Sequence, residues 1–88
     1  MKVNDAYIDR SFDIGSHAIV IRFENGKTDH IFHSIVQHCC DDLSLNELKE
    51  IRHMVYMQRR EWLPDDVPPG IKQLYDQFID VVENREKE

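Results

Sequence analysis

The sequence predicts a small α+β domain: an antiparallel sheet of two or three strands, followed by three helices packed on it. Three observations carry this expectation. A β-branched, alternating stretch fills the first part of the chain. The hydrophobic period then lengthens from two residues to about 3.6. A serine and a glutamate three positions apart, Ser44 and Glu47, then open a long helical segment. The chain has 88 residues, 41% of them apolar and 32% charged, which suits one globular domain over residues 1–88 with no second core.

The first strand is placed where Ile8, Phe12 and Ile14 fall at even spacing around Asp9, Ser11 and Asp13, a pattern with one buried face. Gly15-Ser16 permits a turn. His17 to Glu24 reads HAIVIRFE, with Ile19, Ile21 and Phe23 directed to one side and Ala18, Val20 and Arg22 to the other. Asn25-Gly26 suits a tight turn, so a short third strand beginning near Lys27 is an alternative. From Asp29 onward the pattern reads as a helix, because Ile31, Phe32, Ile35, Val36 and Cys39 recur at helical spacing, with Thr28 or Asp29 as its cap. On that helix Cys39 faces the core, Cys40 lies at the margin, and His30, His33, Ser34, Gln37, His38 and Asp41 occupy the other side.

In the second helix, Ser44 accepts from the backbone while Glu47 reaches back to the serine amide, and Leu48, Ile51, Val55 and Trp62 form the inward stripe up to about Glu61. Pro64, Pro68 and Pro69 stop it. The last helix runs from Pro69 to Asn84 on Ile71, Leu74, Phe78, Val81 and Val82, with proline tolerated in its first turn and residues 84–88 as a frayed tail.

A net charge of −6, from 17 acidic and 11 basic side chains, disfavours general attraction to nucleic acid or to an anionic membrane and suits a protein partner instead. The opening residues lack the apolar core of a signal peptide, and no run approaches the roughly 18 apolar residues of a membrane span, so a cytoplasmic location is expected. The two cysteines are adjacent, which makes a poor structural disulfide and fits reduced thiols.

The densest cluster of chemistry-bearing side chains is His30, His33, His38, Cys39 and Cys40, a set of nitrogen and sulfur donors that suits zinc. Laid on a helix, the cluster disperses, since Cys40 lies about 15 Å beyond His30 along the axis. Only His30 and His33, one turn apart, remain as a metal pair, with a nearby Cys or Asp to complete it. That makes a metal-binding module the alternative reading, while no cofactor is the primary expectation. Cys39 and Cys40 fall near a helix C-terminus, where the dipole opposes a thiolate, and the chain carries no Gly-rich phosphate loop or hydrolase serine motif. A non-enzymatic role follows.

The interface signals are stronger. Met54, Tyr56, Met57, Arg59, Arg60 and Trp62 crowd into nine residues of the second helix, and such residue types are enriched at binding hot spots. Met54, Met57 and Arg60 lie away from the inward stripe. On the third helix Asp76, Asp80 and Glu83 form an acidic stripe that suits a basic partner, a nucleic-acid-binding protein or complex among them. Direct DNA binding by Lys49, Arg52, Arg59 and Arg60 is disfavoured, because the proline-rich connection is too long for a helix-turn-helix and the would-be recognition helix is acidic. A homodimer through the apolar part of the second helix would also explain the Met and aromatic cluster. The whole profile resembles, in style rather than in motif, small proteins that act by occupying another protein. Phage-type counter-defence inhibitors such as anti-CRISPR proteins, and bacteriocin immunity proteins, are of this kind. The expected function is therefore that of an inhibitor or adaptor.

Overall fold

The structure is a computed structural model that describes residues 2–9, 17–62 and 67–88. Three strands, β1 (Val3–Asp9), β2 (Ala18–Phe23) and β3 (Thr28–Phe32), form an antiparallel sheet in the order β1-β2-β3. A 3-10 turn (His33–Ile35) leads into the short α1 (Val36–Cys40), followed by α2 (Leu45–Arg60) and α3 (Pro69–Glu86). The α+β class expected from the pattern is the one observed, with the third strand present.

β2 is the strand the alternation described. Ile19, Ile21 and Phe23 are buried on the helix-covered face, opposite Ile8, Ala6 and Val3 of β1, and Ile19 also stands opposite Ile31 of β3. β1 begins earlier than its Ile8-centred pattern suggests. The reason is a register shift between Val3 and Asp5, which spaces the buried Val3, Ala6 and Ile8 unevenly and hides the strand from a period-two reading. Phe12, Ile14 and the Gly15-Ser16 turn lie outside the described residues. Asn25-Gly26 does form the hairpin turn: Gly26 has φ +89°, the Phe23 amide donates to the Lys27 carbonyl at 2.8 Å, and the Lys27 amide donates to Asn25 Oδ1 at 2.9 Å.

That hairpin corrects the helix expected from Asp29. Once the turn sets the register, Thr28 to Phe32 continue as a strand opposite β2, with Ile31 buried in the core and Phe32 turned to the outer face. Asp29 is not a helix cap. Its carboxylate accepts the neighbouring His30 amide at 2.8 Å. Helical geometry starts only at His33, so Val36 and Cys40, one turn apart, are the buried pair. The two thiols thus exchange the roles expected of them, with Cys40 in the core and Cys39 half-buried at its margin. Ile35, expected inside, is exposed.

α2 opens with the anticipated capping box: the Glu47 amide donates to Ser44 Oγ at 3.1 Å, and the Ser44 amide donates to Glu47 Oε1 at 2.9 Å. Leu48, Ile51 and Val55 are fully buried, and Trp62 packs half-buried against the core. One flank of α2 is tied to β1. The Val3 amide donates to Glu50 Oε2 at 2.9 Å, the Ile8 amide donates to Gln58 Oε1 at 2.7 Å, and Gln58 Nε2 donates back to the Ile8 carbonyl at 3.2 Å. These side chains stand in for a neighbouring strand and cover an edge that would otherwise offer itself for pairing.

α3 buries Ile71, Leu74, Phe78, Val81 and Val82 as expected, but it continues past Asn84 to Glu86. Two side chains hold its end. Arg85 donates to the carbonyls of Cys40 (3.3 Å) and Leu43 (3.0 Å) where α1 ends, the Cys40 carbonyl also accepting the Leu43 amide, and Arg52 of α2 pairs with Glu86 at 2.6 Å. At the other end of α3, Gly70 makes room for the buried His17, whose Cδ2 lies 2.9 Å from where a Cβ on Gly70 would stand.

Candidate functional site

Two surfaces present large apolar side chains to solvent, and neither is part of the core. The first lies on α2. Tyr56 and Met57 are 48% and 45% exposed, and the Arg60 guanidinium lies 5.9 Å over the Tyr56 ring while its Nη1 is 3.8 Å from Met57 Sδ. The helix period makes this grouping, since positions 56, 57 and 60 fall within one turn on the side opposite Leu48, Ile51 and Val55. Arg60 thereby holds an amphipathic patch in a defined shape, with less rotamer freedom to lose on binding than a free arginine.

The patch continues into a shallow groove of about 380 Å³ between α2 and α3, lined by Lys49, Arg52, His53, Tyr56, Tyr75 and Ile79. Arg59 closes one end of it with its guanidinium 5.9 Å over the Tyr75 ring. Burial, partly offset by Arg59, keeps the Tyr75 phenol above its ordinary pKa, so at neutral pH it is a neutral hydrogen-bonding group in an aromatic and cationic groove. At the other end Arg52 is engaged with Glu86, and this contact holds the Glu86 carboxyl below the usual range.

Of the interface residues expected on α2, Tyr56, Met57 and Arg60 stand together in the open, and Arg59 flanks them over Tyr75. Met54 does not join them. It sits on the β1 side of α2, between Glu50 and Gln58 in helical phase, and packs against the core. The acidic stripe is where the period put it, with Asp76, Asp80 and Glu83 all exposed on α3.

The metal pair of the alternative reading is not formed. It required a helix through Asp29, and the strand places His30 on the outer sheet face, stacked on Phe32 with ring centroids 5.5 Å apart, while His33 lies beyond it in the 3-10 turn. Among the described residues no group of three or more His, Cys, Asp or Glu side chains converges as a metal site would require. His33 instead lines a cleft of about 400 Å³ with Asp80, Gln37, Gln77 and Asn84, between the 3-10 turn, α1 and α3. Cys40 is chemically quiet: burial foremost, and the adjacent Cys39 next, push its thiol up to about 12.

The second exposed surface was not visible in the sequence. On the outer face of the sheet, Val20 is almost fully covered between its cross-strand partners Tyr7 and His30, Arg22 lies 5.9 Å over the Tyr7 ring, and Phe32 is 43% exposed near Ile35 at 45%. Reading His30 and Phe32 on a helix separated residues that alternate on one strand face. The Asn-Gly turn was the signal that would have found them.

No helix among the described residues is long and apolar enough to cross a membrane. Comparison of the chain with protein-family models, with curated proteins and with solved structures finds no match.

Proposed function

We propose that this protein is a non-enzymatic binding module that acts as an inhibitor or adaptor by seating the α2 face on a partner protein. The observation that carries the reading is the Tyr56, Met57 and Arg60 cluster. Aromatic, methionine and arginine side chains are the types concentrated at the centres of interfaces, and here they are exposed, mutually ordered and unused by the core. The adjoining groove adds aromatic walls and cations to the same surface.

The test is affinity capture from lysate of the native host, with the wild-type chain beside Tyr56→Ala/Met57→Ala and beside Arg59→Glu/Arg60→Glu. Circular dichroism and melting serve as folding controls. Loss of a specific captured protein with the fold intact supports the reading, and capture indifferent to both double substitutions sinks it.

A second reading places the partner on the acidic stripe. Asp76, Asp80 and Glu83 are exposed, and none of them forms a close ion pair among the described residues. Such a row suits a basic, nucleic-acid-binding partner. Reversing these three charges in the same capture experiment separates the two surfaces.

A further inference from the structure

The α2 and α3 faces carry opposite charge and lie side by side, which is the pattern a self-complementary surface needs. We infer that the first occupant of the α2 face is a second copy of this chain, forming a two-fold dimer in which α2 of each copy lies against α3 of the other. The inference rests on the reading of the α2 face as a protein interface and names what covers it.

The register follows from contacts within one chain. Arg52 reaches Glu86, and Arg59 lies over Tyr75, so the start of α2 is beside the end of α3 and the two helices run antiparallel. Averaging these two contacts brings Arg60 level with Asp76, Tyr56 level with Asp80, and His53 level with Glu83. All six side chains are exposed.

A two-fold axis parallel to the helices, passing over the groove between them, keeps each residue at its level and exchanges α2 for α3. Arg60 of one copy then faces Asp76 of the other and His53 faces Glu83, each contact occurring twice. An axis perpendicular to the helices would instead set α2 on α2 and α3 on α3, like charge against like. The isologous arrangement that sets α2 on α3 is therefore the one the charges select.

The centre of this interface carries aromatic and aliphatic side chains, flanked by the Lys49, Arg52 and His53 side chains of the same groove, with Arg52 neutralised by Glu86. The two grooves meet face to face on the axis and bring together Tyr75, Ile79 and Tyr56 of both copies. Two levels are like-charged: Lys49 against Lys87 at the end of the helices, where solvent screens it, and Glu50 against Glu86, where Glu50 is turned to the Val3 amide of β1. α2 and α3 are 16 and 18 residues long. Each therefore offers a face roughly 25 Å in length, which suits a reversible dimer rather than an obligate one.

Sedimentation equilibrium of the full chain from about 1 μM to about 1 mM measures the association. The wild type is expected to pass from monomer to dimer within that range, more weakly as salt rises. Arg60→Glu alone and Asp76→Arg alone should each weaken the dimer by about tenfold or more, because each sets like charges opposite one another twice. Mixing the two variants should restore dimer, since both contacts are then of opposite sign. That recovery also shows both variants to be folded.

A chain that stays monomeric throughout, a dimer indifferent to both reversals, or two weakened variants that fail to recover on mixing would each overturn the inference. The binding reading is judged separately. Surface-dependent partner capture by a strictly monomeric chain leaves that reading standing and removes the dimer, whereas a dimer with the expected charge pattern and no captured partner does the reverse.

Discussion

Replacing Gln58 with methionine should cost about 2–3 kcal/mol, although the residue lies on the flank of α2 and not in the apolar core. Its amide makes two bonds to one strand residue, accepting from the Ile8 amide at 2.7 Å and donating to the Ile8 carbonyl at 3.2 Å. Each such bond contributes a net of about 0.5–1.5 kcal/mol, and a buried backbone group stripped of its partner adds about 1–3 kcal/mol. Partial burial lets water repay some of that penalty, which sets the middle of the range. Methionine preserves length and helix propensity, so little else changes. A domain of this size has roughly 4–13 kcal/mol of stability in all. The loss therefore lowers the melting temperature by about 10–20 °C at the usual 4–8 °C per kcal/mol. Urea titration followed by far-UV circular dichroism reads the energy, and amide exchange reads its location, since protection at Ile8 should fall more than at strand-central amides of β2. Gln58→Glu sharpens the test: it keeps an acceptor for the Ile8 amide but sets a carboxylate oxygen against the Ile8 carbonyl, so it should be no milder than methionine. A loss below about 0.5 kcal/mol, or unchanged protection at Ile8, would refute the edge-covering role of Gln58.

Other perturbations follow from the same contacts. Gly70→Ala should destabilise by about 1–3 kcal/mol because the new methyl meets the buried His17 ring, and in a His17→Ala background that cost should largely vanish; additive effects in the double-mutant cycle would exclude the clash. Ser44→Ala should cost about 1 kcal/mol through loss of the α2 cap, measured by thermal melting. Burial raises the Glu47 carboxyl, but its bonds with Ser44 outweigh that and hold it below the usual range, and Arg52 holds Glu86 there too. For a carboxyl depressed in the folded state, the stabilisation is complete above its ordinary pKa of about 4.5 and is lost as pH falls through the lower folded value. Glu47→Gln should accordingly show a smaller fall in melting temperature than wild type on acidification from about pH 7 to about pH 3, and parallel curves would contradict the linkage. A disulfide reagent at about pH 8 should label Cys39 in the folded protein and reach Cys40 only on unfolding, whereas two equally fast thiols would contradict the burial of Cys40.

Where one local rule acted alone, the sequence was a reliable guide. β2 follows period two because both of its neighbours pair in register, α2 follows the capping box and its buried stripe, and α3 follows five apolar residues behind a first-turn proline. It failed where two rules competed. The Ile31 to Cys39 run satisfies a helical period and also a strand that turns into a short helix, and only the hairpin at Asn25-Gly26 decides between them. In β1 the register shift hid where the strand begins. The candidate site divides in the same way: exposure of Tyr56, Met57 and Arg60 follows from helical phase alone, whereas the fate of Met54 depends on which flank β1 occupies.

By itself, then, the sequence determined the class, the order of elements, the α2 and α3 faces and the residues that stand on them, because these depend on propensity, periodicity and capping within a few residues. Only the tertiary structure decided which cysteine is buried, where His30 points, what covers the β1 edge and which side chains close the groove between α2 and α3. Those depend on contacts between residues far apart in the chain, such as Gln58 with Ile8, Arg85 with Cys40 and Arg59 with Tyr75, and no local pattern encodes them.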